Sequence, residues 1–202
     1  MATFYTIGHS TRTFDELAAA LQAHGIRTLV DIRVFPASRR VPHFNRESLQ
    51  VELPKRGIDY AWMKELGGRR RKIRDDSPNT GLRSDSFRNY ADYMLTPEFA
   101  QAIDRLLGIA AETTDPSAPA SNRSSPVLGM TIREGGRTNT AIMCAERVYF
   151  QCHRMLVSDY LVAHGHTVLH IDDDKRAPRP HKLMAEAHLV DGQLLYNAQE
   201  LF

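Results

Sequence analysis

Apolar positions along this chain fall into short β-prone runs that alternate with stretches of helical period. Thr3 to Ile7 reads as a strand that stops at Gly8-His9-Ser10. Thr13 caps the helix that follows, with Glu16 three residues on as in a capping box, and Phe14, Leu17, Ala18 and Leu21 form its apolar stripe. Gly25 ends it. Thr28 to Val34 is a second buried-type strand, interrupted by Asp31 and Arg33, charges that need partners or a role inside a sheet. A helix over Arg46–Arg56 and a third strand over Ile58–Trp62 come next. Further helices are predicted over Ser86–Leu95 and from Thr96-Pro97-Glu98, a favoured cap and first turn, to Ala111.

The second half continues the alternation. Thr113 to Pro126, rich in Pro, Ser and Thr, reads as a mobile surface loop at about 113–126. Val127–Ile132 follows as a strand, Glu134–Asn139 as a turn and Thr140–Ala145 as a central strand. Cys152–His164 reads as a helix and Thr167–Ile171 as a strand. A last helix over His181–Leu189 and an edge strand over Gln193–Leu195 complete the prediction. Strands alternating with helices predict an α/β fold: a mostly parallel central sheet with helices on both faces, in a single domain covering residues 1–202.

In open sheets of this kind ligands bind beyond the carboxyl ends of the strands. Polar residues recur at those ends here: His9 and Ser10, Asp31 and Arg33, Gly67 and Gly68, Cys144 and Glu146, His170 and Asp172. That recurrence is the main sequence argument for an enzyme. The richest stretch is CAERVYFQCHR, Cys144 to Arg154, which holds both cysteines of the chain. If the strand runs through Ala145, Cys144 and Glu146 share a face. Cys152, His153 and Arg154 then arrive at a helix N-terminus, where backbone N–H groups favour anions.

Composition narrows the classes. The 202 residues are 42% apolar and 25% charged, which fits a globular chain, and net charge is only +2. The charge is uneven: residues 31–74 carry twelve Lys/Arg against five Asp/Glu. A segment of that balance attracts phosphate or nucleic acid, or is simply a solvated face. Two cysteines do not make a secreted disulfide scaffold, and the sequence shows neither a signal-peptide pattern nor an apolar run long enough to span a bilayer. The expectation is a cytoplasmic protein without a membrane partner.

Residue chemistry supplies the roles. Cys144 is the expected nucleophile, with His153 tuning the thiol and Glu146 and His9 moving protons. Cys152 is a second candidate, either catalytic or as the redox partner of Cys144. Arg33, Arg39 and Arg154, with Ser10 and Ser38, are expected to cradle an anion, and Asp31 to hold Arg33. An alternative is a zinc or iron site on Cys144, Glu146, Cys152 and His153, with His9 or His170 in reserve. The C-A-E triplet is similar to that of zinc deaminases, but the later P-C-x-x-C pair those enzymes need is absent. The residues name no cofactor. A rival of another class is a nucleic-acid-binding module without catalysis, built on residues 31–74 and the Arg69–Lys72 run, with Tyr60 and Trp62 upstream.

Taken together, GHS before a helix, DIR followed by SR, LGG, the NYADYM helix and CAE with CHR resemble the prokaryotic family called domain of unknown function 488. The resemblance runs from Tyr5 to about Ile171. It implies an α/β protein of the cytoplasm and supports the position of the site rather than a reaction. Where that family usually carries proline midway between the two cysteines, this chain has Tyr149.

Overall fold

The computed structural model describes residues 1–114 and 139–197. The expected strand Val127–Ile132, most of the 113–126 loop and all but the last residue of the 134–139 turn lie outside those residues. Five helices and eight strands are described: β1 (Thr3–Gly8), α1 (Phe14–Ala23), β2 (Ile26–Asp31), α2 (Arg46–Lys55), β3 (Asp59–Trp62), α3 (Asp85–Met94), α4 (Pro97–Thr114), β4 (Asn139–Cys144), α5 (Arg154–Ala163), β5 (Thr167–His170), β6 (Arg179–Pro180), β7 (Ala187–Val190) and β8 (Gln193–Tyr196). The main sheet has the order β3-β2-β4-β1-β5-β6 and is parallel except for the short edge pair β5–β6.

Alternation along the inner strands splits the buried side chains between two cores, as the two-residue strand period requires. Ile7, Leu29, Ala141 and Met143 pack with Leu17 and Leu21 of α1 and Leu49 and Leu53 of α2 on one face. Phe4, Val30 and Ile142 pack with Tyr90 of α3, Phe99 and Leu106 of α4 and Leu156 of α5 on the other. Helices therefore cover both faces, and β4 is buried from Thr140 to Cys144. The Thr13–Glu16 capping box forms in full, each side chain bonding the other's backbone N–H. No helix among the described residues is long and apolar enough to cross a membrane.

The tail departs from expectation. No helix forms over 181–189. Residues 187–196 make the hairpin β7–β8, a separate two-stranded sheet, so Gln193–Leu195 does not extend the main sheet, whose edge is β6. Asp191 and Gly192, at φ 48° and 79°, form the turn. Asp-Gly between short apolar runs is the signal for such a hairpin, and helical period was read in its place.

The topology also sets the site. β1 leads into α1 on one face and neighbouring β4 leads into α5 on the other. Where loops leave two adjacent parallel strands toward opposite faces, the carboxyl ends between them are the usual place for a ligand.

Candidate functional site

Gly8 closes β1 under the segment that follows β4. A Cβ at Gly8 would sit 1.9 Å from the Glu146 carbonyl oxygen, so only glycine lets the two backbones cross here. The space that glycine leaves is taken by the protein's own chain. His9 and Ser10 donate their backbone N–H groups to the Cys144 and Ala145 carbonyls at 3.0 and 2.9 Å, which ties the two strand ends together.

Beside this crossing lies a saturated polar knot. Asp31, fully buried at the end of β2, accepts from the Arg33 backbone N–H and from its guanidinium, with Nη2–Oδ2 at 2.5 Å. Tyr60 donates its hydroxyl to the same carboxylate at 2.7 Å, and Arg33 also donates to the Phe44 carbonyl. His9 completes the knot. Its Nδ1–H donates to the Ser10 carbonyl, so Nε2 is the acceptor facing Arg33 Nη1 at 3.0 Å. Burial, and then the Arg33 charge, lower His9 to about 4, so the ring is neutral at pH 7 with its lone pair already engaged. Burial opposes the Arg33 charge, but Asp31 outweighs it and raises that group's pKa. Burial and the Asp31 carboxylate push the Tyr60 phenol up.

The second group is built on sulfur. Cys144, at the end of β4, and Cys152 and His153, at the start of α5, are all buried, and their ligand-type atoms lie within 4.8 Å of one another. His153 Nδ1 faces both sulfurs, 3.5 Å from Cys152 and 3.9 Å from Cys144. Both cysteines are free. The hydrogen bond between the sulfurs, together with burial, raises the Cys144 thiol. The same bond, against the penalty of burial and helped by His153 and Arg154, lowers Cys152. Gly68 explains the orientation of the imidazole: a Cβ there would meet His153 Nδ1 at 2.3 Å. Tyr90 also packs against the ring, centroids 5.3 Å apart.

Arg154 is 2% exposed, and among the described residues no carboxylate lies within ion-pair distance of it. One Nη2 donates to the Glu146 carbonyl and, at 3.3 Å, to that of Arg147, holding the loop over Gly8. Its Nε and His153 Nε2 are buried without hydrogen-bond partners among the described residues.

Other expected residues stand apart. β4 ends at Cys144, so strand alternation does not carry Glu146 onto the thiol's face; Glu146 is exposed and outside the sulfur–imidazole group. Arg39 is exposed, and Ser38 turns its hydroxyl back to the backbone N–H groups of Arg40 and Val41, shaping its own loop. Ser10 adopts a left-handed φ of 51° and serves through its carbonyl and N–H. The reserve metal ligands His9 and His170 have both ring nitrogens engaged in hydrogen bonds.

Sequence reasoning missed a third cluster. Tyr196 and His181 both donate to Asp159, at 3.2 and 2.8 Å. His181 Nδ1 then accepts from His170 Nε2 at 2.9 Å, and His170 Nδ1 accepts from the Thr6 hydroxyl at 2.7 Å. The carboxylate at one end thus fixes every tautomer along the chain. Burial, followed by the neighbouring His181 ring and the Arg154 charge, lowers His170 to about 3. Tyr149 stacks flat on His170, centroids 3.5 Å apart, which is the service this residue performs where proline was expected. No local motif announces the cluster, because Asp159 and His181 meet only through the tertiary fold.

Searches of curated proteins and of solved structures returned no match. A family model does match, over residues 13–115, a little more than half of the chain. The matched span holds Asp31, Arg33, Tyr60, Gly68 and the NYADYM helix; the GHS and CAE…CHR segments lie outside it. With that match and the layered fold in hand, the chain belongs to the family described as domain of unknown function DUF488.

Proposed function

We propose that the crevice between β1 and β4 is a catalytic site for an anionic substrate carrying phosphate or carboxylate, with the two sulfurs as its reactive centre. The observation that supports this best is Arg154. A guanidinium buried to 2% exposure that, among the described residues, bonds only carbonyls and leaves Nε uncommitted calls for a negative partner beyond what the described carboxylates supply. The sulfur pair lies next to it, and His153 Nε2 adds a second uncommitted group. Arg33 plays a lesser part, since Asp31 neutralises it and His9 and Phe44 occupy its other donors.

The test is thiol alkylation by iodoacetamide as a function of pH, with and without inorganic phosphate or a nucleoside monophosphate. The reading requires alkylation slowed several-fold by the anion in the wild type and unaffected by it in Arg154→Gln. Equal rates with and without anion would reject it.

Nucleic acid as the source of the anion is favoured by a separate observation. Exposed Phe35, Arg39 and Arg40 follow β2, exposed Arg69 and Arg71 follow β3, and exposed Arg147 and Phe150 follow β4, all beyond the same edge of the sheet. Cations interleaved with exposed aromatic rings suit a single strand, with bases on the rings and phosphates on the arginines. Fluorescence anisotropy with a labelled single-stranded oligonucleotide tests this: binding should weaken with salt and on Arg69→Ala/Arg71→Ala, and persist in Cys144→Ala.

A further inference from the structure

We infer that Cys144 Sγ, Cys152 Sγ and His153 Nδ1 are three ligands of a divalent metal ion of the zinc class, leaving a fourth position open toward the crevice. This rests on the proposed catalytic site and states how its sulfur pair would work.

The first argument is distance. Zinc–sulfur bonds of about 2.3 Å and zinc–nitrogen bonds of about 2.0–2.1 Å at a tetrahedral angle place sulfur and nitrogen ligands about 3.5 Å apart and two sulfurs about 3.8 Å apart. Here one nitrogen faces both sulfurs at 3.5 and 3.9 Å, and all three atoms fall within 4.8 Å. A cysteine that only fills a core has no reason to share one imidazole nitrogen with a second thiol. Glu146, the other ligand considered from sequence, is exposed and outside the set, which leaves three ligands among the described residues. Three protein ligands with one position left over is the pattern of catalytic rather than structural zinc.

The second argument is independent of the sulfurs. Gly68, from the loop after β3, packs so closely on His153 that any Cβ would strike Nδ1, so the ring is held with that nitrogen toward the cysteines. Its other nitrogen, Nε2, is buried without a partner among the described residues. A metal-bound imidazole keeps a proton on the nitrogen that does not ligate and usually spends it on a neighbour. In this site that N–H is left for a ligand in the crevice.

Charge accounting links the ion to the substrate class. Both sulfurs ligate as thiolates, and their protons leave to solvent as the metal enters. Two thiolates and a dication sum to zero, and Asp31 already balances Arg33. The positive charge of Arg154 is then left for an anion at the open position.

The experiment uses the full chain, purified without chelator or added metal. Elemental analysis should give near-stoichiometric zinc or a similar ion, lost in Cys144→Ser and Cys152→Ser variants whose circular dichroism is unchanged. After chelation, cobalt(II) should produce a sulfur-to-metal charge-transfer band and tetrahedral d–d absorption, and zinc should abolish thiol alkylation. Gly68→Ala should weaken cobalt affinity at least tenfold with both thiols intact. Absence of the charge-transfer band, or alkylation unaffected by zinc, overturns the metal. If metal fails yet phosphate still protects the thiols, the anion site stands and the metal falls. If metal binds but phosphate neither protects the thiols nor perturbs the cobalt spectrum, the metal stands and the anion reading falls.

Discussion

Acid should unfold this protein earlier than its carboxylates require, and His170 is the main reason. The ring is 2% exposed, accepts from Thr6 and donates to His181, and is held neutral down to about 3. An unfolded histidine titrates near 6.5. Between those values the unfolded chain takes up a proton that the folded chain refuses, so this stabilisation is complete above about pH 6.5 and is lost as pH falls toward 3. Each unit of pH in that window costs about 1.4 kcal/mol, so His170 alone removes roughly 2 kcal/mol between pH 6.5 and 5. His9, folded value about 4 for the same cause, adds a similar share over the same interval. A combined loss of about 4 kcal/mol is a large part of the 5–15 kcal/mol that stabilises a typical domain. Urea unfolding at pH 7.5, 6.5, 5.5 and 5.0 measures it directly. His170→Gln should be less stable at pH 7.5 and should show about half the wild-type pH slope. Wild-type stability that changes by less than about 1 kcal/mol from pH 7.5 to 5 would refute the reasoning, since it would mean that neither ring is desolvated as the structure has it.

Further outcomes follow from single contacts. Asp31→Asn leaves Arg33 buried with half its partnership gone and should cost about 3–5 kcal/mol in chemical denaturation, whereas Tyr60→Phe removes one hydrogen bond and should cost about 1 kcal/mol or a little more. Gly68→Ala forces His153 off its seat and should destabilise by about 1–3 kcal/mol in the same assay, with a shifted pH profile of thiol alkylation. Thr13→Ala undoes the capping box on α1 and should lower stability by about 1 kcal/mol, leaving thiol reactivity unchanged.

What could be read from the chain depended on how local its cause was. The capping box at Thr13, the strand–helix alternation and the Asp31–Arg33 pair lie within a few residues of their partners, and the fold realises them. Gly8 reads in the sequence only as the end of a strand: its bare Cα accommodates the Glu146 backbone, and nothing near it in sequence shows which strand will cross there. Gly68 raises the same difficulty, since the ring it seats is His153. Glu146 was misplaced because strand alternation was carried past Cys144, where the strand stops. The Asp159–His181–His170–Thr6 chain joins β1, α5, β5 and the segment before β7, so no window of sequence contains it.

The position of β1 carries a cost in time. Phe4 pairs with Thr140 on one side and Val168 on the other, so the first described strand sits between two that are made much later. While the ribosome is at work, Thr3–Gly8 has both hydrogen-bonding edges bare and nothing native to meet. Sheets assembled from such distant partners close slowly, because the loop entropy must be overcome before any contact repays it. For this sheet, closure waits until β4 and β5 have been made, and the interval before it is when unpaired β1 is most open to shielding by chaperones or to mispairing with another nascent copy.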